Sequence, residues 1–193
     1  MASNASVPSP ALVARILVLI IVSVIVQSAA VSQFPIFGTP ADLSPLVVAS
    51  VGLLTGSVEG AITGFAVGLF VDLTLVQTLG LSSLVLTVVG YGAGRLRELR
   101  DPQGTAVALL AGAAATAFAS IGYAVMEFML GVDAPVSFLL LRQIIVVILV
   151  NSIIALPVFA IVRRWLQPSL PDDPRRRRRR AYTTGGLTPL SRA

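Results

Sequence analysis

Residues 52–68 read GLLTGSVEGAITGFAVG, with glycine at 52, 56, 60, 64 and 68. In a water-exposed helix each glycine costs roughly 1 kcal/mol against alanine, so a stripe of five needs a physical reason. Glu59 stands in the middle of it. Two questions decide the fold: what the glycines touch, and whether the chain passes Glu59 as one helix or turns there.

The solvent comes first. Of 193 residues, 55% are hydrophobic and 12% are charged, about half the charged share of a soluble domain, roughly 25%. That is the composition of an integral membrane protein, whose backbone polar groups must be satisfied within the chain. Cysteine and histidine are absent, which excludes disulfide frameworks, Cys/His zinc sites and His-based triads. All 14 basic residues are arginine, and the net charge of +5 comes largely from the run at 175–180.

Around the glycine stripe, residues 46–76 are almost continuously apolar. One helix from 45 to 77 would be about 50 Å long, against a hydrocarbon core of about 30 Å. Glu59 would then lie near its centre, where a charge is expensive. The chain is therefore expected to break at SVEG, 57–60, into two short helices joined by a tight turn that leaves Glu59 solvated. Upstream, residues 11–31 suit one span. Residues 32–45 form a loop with Phe34 and Phe37 at the interface, and Ser44 caps a helix that has Pro45 in its first turn. Downstream, a fourth helix follows Gly80 and ends in the charged loop RLRELRDPQG, 95–104. Residues 105–130 and 138–162 form the last two spans around a turn at 131–136. Residues 1–10 and the basic tail 167–193 lack an apolar pattern and are expected to be disordered. The membrane domain is 11–166.

The arginines set the orientation. Arg15, then Arg95, Arg97 and Arg100, then Arg163 and Arg164 flank the spans. Basic flanks mark the cytoplasmic side, so an even number of crossings must separate each group. Breaking the long apolar run gives four crossings, then two. The fold class is thus an all-α integral membrane protein with six transmembrane helices and both termini cytoplasmic. Gly52 and Gly56 then belong to the second helix, and Gly60, Gly64 and Gly68 to the third. Small residues at this spacing let helix backbones approach closely. The surface they serve is either intramolecular or a partner's helix.

Intramembrane charges are normally paired. Asp72, Glu127 and Arg142 are expected to form an intramembrane polar cluster, with Arg142 paired to Glu127 across the last hairpin and Asp72 nearby. The alternative leaves all three solvated at headgroup level. Arg175, Arg176, Arg177, Arg178, Arg179 and Arg180, without interleaved aromatics, are expected to contact anionic lipids rather than nucleic acid. No nucleophile–base pair or P-loop is present, so no catalytic, cofactor or metal residue is assigned and the chain is read as non-enzymatic.

The run GFAVGLFVDLTLVQTLGLSSLVLTVVGYGAGRLRE, 64–98, resembles the signature region of the rod shape-determining protein MreD family. The matching positions are Gly64, Phe65, Gly68, Leu69, Asp72, Gly80, Leu81, Tyr91, Gly94 and Arg97, joined by Arg142, Asn151 and Pro157 in the last helix. The resemblance covers residues 10–166, and the arginine tail departs from it. It implies an adaptor of the bacterial cell-elongation machinery in the cytoplasmic membrane. Implied partners are an MreC-like protein and, with it, RodA, a class B penicillin-binding protein and MreB. The implied fold is similar to the substrate-binding subunits of energy-coupling-factor transporters. The alternative function is a small-molecule, vitamin-type binding subunit of a transporter, for which Asp42, Asp72, Gln77 and Glu127 are the available polar residues.

Overall fold

The chain turns at one residue. In the computed structural model, which describes residues 9–33, 35–36, 39–40, 42–74, 79–99, 105–131 and 138–170, Gly56 stands alone between two helices. Its φ of 126° lies where only glycine goes without strain. The Gly56 N–H donates to the Gly52 carbonyl and closes one helix; its own carbonyl accepts from Gly60 N–H and opens the next. The break expected at 57–60 is therefore placed too late. Ser57–Gly60 is helical, and Glu59 sits in a helical first turn rather than in the connection. A carboxylate is favourable there, facing the positive end of the helix dipole.

Among the described residues six helices follow in order: α1 Pro10–Gln33, α2 Ser44–Thr55, α3 Ser57–Thr74, α4 Leu81–Leu99, α5 Thr105–Met129 and α6 Phe138–Leu166. A two-residue antiparallel pair, β1 Pro35–Ile36 with β2 Thr39–Pro40, lies between α1 and α2. A 3-10 turn, Gln167–Ser169, follows α6. Among the described residues, four helices contain stretches long and apolar enough to cross a membrane: Pro10–Ala29, Ser57–Thr74, Ala106–Met126 and Ile144–Ser169. The 12-residue α2 is apolar but only about 18 Å long. Phe34, Phe37, Arg100, the turn at 132–136 and the tail with Arg175–Arg180 lie outside the described residues.

α2 is the centre of the bundle. It packs against all five other helices, and ten of its residues, from Ser44 to Leu54, are buried. α3 and α4 run antiparallel along one another: Gly60 meets Gly90, Gly64 meets Leu86, and Gly68 meets Ser82 and Ser83. The core draws on every helix, including Ile16, Val48, Val67, Leu86, Ala115 and Leu166. The outer surface carries exposed Ile21, Ile62, Phe118 and Ile153, as suits a protein whose solvent is lipid.

α2 is not capped as its sequence suggests. Pro45 does stand in the first turn, but the Ser44 side chain makes no cap. The Asp42 carboxylate accepts the Ser44 N–H at 3.0 Å instead, and the Ser44 hydroxyl is buried without a hydrogen-bond partner among the described residues.

Candidate functional site

The glycine stripe defines the tightest packing. A Cβ at Gly52 would lie 2.6 Å from the Gly90 carbonyl oxygen. At Gly60 it would meet that same carbonyl, at Gly64 the Leu86 carbonyl, and at Gly68 the Ser83 backbone. Gly90 and Gly94 answer from α4, against Gly60 and Ser57. Four of the five stripe glycines thus lie against α4 or its neighbours, and Gly56 forms the elbow. Their contacts are intramolecular.

Two carboxylates close the α3–α4 hairpin at opposite ends. Asp72, near the end of α3, is fully buried. Its Oδ2 accepts the Gly80 N–H at 2.8 Å and its Oδ1 the Ser82 N–H at 3.3 Å, so it caps α4. At the other end Glu98 Oε1 accepts the Ser57 hydroxyl at 2.6 Å and the Ser57 N–H at 3.3 Å, so α4 caps α3. Each helix supplies a cap for the start of the other. Glu98 also pairs with Arg95 at 2.9 Å. The Ser57 hydroxyl, then the Ser57 N–H and Arg95, hold its carboxyl below the usual glutamate range.

A polar layer surrounds the start of α2. Gln27 of α1 accepts the Leu43 N–H at 2.9 Å. Asn151 of α6 donates its amide to the Asp42 carbonyl at 2.7 Å and to Thr116 of α5 at 3.2 Å. Tyr123 faces Ser82, with the carboxyls of Asp42 and Asp72 nearby. Three helices place this layer at one depth. α1 and α6 meet at one end, where Arg15 donates to the Trp165 carbonyl and the Trp165 indole donates to the Arg15 carbonyl. From there Gln27 is about 18 Å along α1 and Asn151 about 21 Å along α6; Asp72 is about 22 Å from Ser57 along α3. Four buried oxygens have no hydrogen-bond partner among the described residues: Ser23 Oγ, Ser44 Oγ, Ser83 Oγ and Asn151 Oδ1.

Of the expected trio of Asp72, Glu127 and Arg142, the side chains of Asp72 and Arg142 are described. Asp72 has backbone partners of its own. Arg142 is exposed. The Glu127 side chain lies outside the described residues, and with it the expected pairing to Arg142. Sequence reasoning did not assemble Gln27, Asp42, Thr116 and Asn151. Their signal is a lone hydrogen-bonding residue inside an apolar run, and it reveals no partner when that partner is a backbone group up to 109 positions away.

The family model for the rod shape-determining protein MreD matches residues 11–165. No curated protein and no solved structure matches the chain.

Proposed function

The chain belongs to the MreD family of rod shape-determining proteins, and from that premise we propose that it is a membrane adaptor of the bacterial cell-elongation complex, supporting lateral peptidoglycan synthesis by docking an MreC-like partner and acting with RodA, a class B penicillin-binding protein and MreB. The observation that carries the proposal is the match over residues 11–165, the whole apolar part of the chain.

The adaptor is a six-pass protein of the cytoplasmic membrane with both termini in the cytosol. Residues 11–166 form the membrane domain and 167–193 a basic tail on anionic lipid. The single-residue elbow at Gly56 supports this topology, because it divides the long apolar run into two antiparallel helices. α2 does not span alone. Its crossing is completed by the segment before it, whose backbone at Asp42 and Leu43 is covered by Asn151 and Gln27. Non-helical backbone at such depth is tolerated only where protein buries it.

The glycine stripe serves internal packing, so partners dock on the outer apolar faces of α1, α3 and α6. The transporter-type alternative needs a polar pocket. Gln27, Asp72 and the Asn151 amide are engaged with groups of the chain itself instead.

The test is depletion in the source cell with an affinity-tagged copy for rescue. Rods are expected to round up and to recover with the wild-type copy, which co-purifies with the MreC-like protein. Unchanged rod shape after depletion would overturn the proposal.

A further inference from the structure

We propose that the entry of α2 binds a monovalent metal cation of the sodium type, through the Asp42 carboxylate, the Ser44 hydroxyl and the side-chain carbonyl of Asn151. This inference does not depend on which proteins the adaptor meets.

The three groups are tied to one short stretch of backbone. Asn151 Nδ2 donates to the Asp42 carbonyl at 2.7 Å, and Asp42 Oδ1 accepts the Ser44 N–H at 3.0 Å. A backbone carbonyl can only accept. It therefore fixes the Asn151 amide with its nitrogen inward and leaves Oδ1 as the remaining acceptor. The oxygen and nitrogen of an amide are about 2.2 Å apart, so Asn151 Oδ1 lies within about 5 Å of the Asp42 carbonyl oxygen. Asn151 is wholly buried, and its Oδ1 has no hydrogen-bond partner among the described residues. The Ser44 hydroxyl, beside the Asp42 carboxyl, is buried in the same condition. Other hydroxyls of the bundle, such as those of Ser50, Thr63 and Thr116, turn back to the carbonyl four residues behind. Ser44 opens α2 and has no helical carbonyl behind it.

The donor set is all oxygen and carries one carboxylate. Among the described residues the one ion pair is Arg95–Glu98, so Asp42 has no basic partner there. An unpaired carboxylate is costly inside a membrane protein, and an orphaned amide oxygen in a dry interior adds to the cost. A water molecule would cover the oxygen and leave the charge. A small hard cation answers both, because carboxylate, carbonyl and hydroxyl oxygens are its preferred ligands. One carboxylate balances one positive charge, and no group of three acidic side chains comes together among the described residues. The chemistry is therefore that of a monovalent rather than a divalent ion. Asp42 is half-buried, which gives an ion a way to its carboxylate without opening the bundle.

The full chain in mild detergent at neutral pH provides the test, with thermal unfolding followed in sodium chloride against choline chloride at equal ionic strength. Sodium is expected to raise the unfolding temperature saturably, and the bulky choline ion is expected not to. Asp42→Asn keeps an acceptor for the Ser44 N–H but removes the charge, and it is expected to abolish the shift. Ser44→Ala breaks no hydrogen bond of the Ser44 hydroxyl. It is expected to fold as the wild type does and to bind sodium about ten-fold more weakly, the effect of one lost bond to a charged group. This variant reports on binding even where Asp42→Asn disturbs folding. Glu98→Gln removes a carboxylate at the other end of the α3–α4 hairpin and is expected to leave the shift intact. Equal unfolding temperatures in sodium and choline would assign Asn151 Oδ1 to an internal water and would overturn the proposal. A wild-type sodium response in Asp42→Asn or in Ser44→Ala would place the ion elsewhere and would also overturn it. Loss of the shift in Glu98→Gln would mean a general charge effect, with the same consequence. A larger saturable shift with calcium chloride would reject the monovalent assignment.

Discussion

At Gly64 a single methyl group would enter the Leu86 carbonyl, and neither helix backbone has room to give. Gly64→Ala is therefore expected to destabilise the protein by about 1–3 kcal/mol, the usual cost of overpacking. Gly92 is the matched control, because a Cβ there meets nothing within 4 Å. Gly92→Ala is expected to be neutral or to stabilise by up to about 1 kcal/mol through helix propensity. Thermal unfolding in one detergent separates the two, and equal effects would contradict the packing role. The glycine spacing was legible in the sequence because close approach demands a missing side chain. The partner was not, since Gly90 and Leu86 lie on another helix and offer only backbone. Asp72 shows the same limit. Its depth could be counted along α3, but its partners, the Gly80 and Ser82 N–H groups at the start of the following helix, could not be read.

The α3–α4 hairpin is the element those residues build. Its two carboxylate caps act on opposite ends, so their losses should add, as for independent sites. Asp72→Ala is expected to cost about 1–2 kcal/mol, the upper range for an N-cap, and an unfolding titration of the single and double variants with Glu98→Gln checks additivity. Glu98 also gives a pH signature. Its folded pKa lies below the ordinary value of 4.5, so its contribution is present above that pH and fades as pH falls through the folded value. Stability should therefore decline on acidification below about 4.5 in the wild type, and less so in Glu98→Gln, whose neutral amide does not titrate. The effect should be small, because Glu98 is exposed to solvent. Helix number and order could be read from apolar length. The elbow position could not be read to the residue, because Glu59 looked like the natural break while the positive φ of Gly56 made it.

The whole molecule is held by bonds between distant segments. Asn151 joins α6 to α5 and to the entry of α2. Asn151→Ala leaves the Asp42 carbonyl without its side-chain donor in a dry interior, at an expected cost of about 1–3 kcal/mol. It should also reduce protection of the Leu43 amide in hydrogen exchange; protection equal to wild type would argue against the polar layer as a tie. The proposed six-pass arrangement has its own check. Cysteines introduced at Arg97 and Gln167 are expected to resist an impermeant maleimide in intact cells and to react in inverted vesicles. Labelling of either from outside would overturn the topology. Helix order was legible because apolar runs act locally. The polar layer was not, because it exists only once chain segments far apart in sequence are brought to one depth.

The brevity and enclosure of α2 bear on how the protein is made. A nascent chain released from the ribosome before residue 151 has no amide to cover the carbonyl at Asp42, and its central helix lacks the late-emerging wall of α6. Insertion must therefore remain provisional until the last segment arrives. Until then, the incomplete chain offers membrane chaperones and quality-control proteases a half-length helix that lipid alone does not hold.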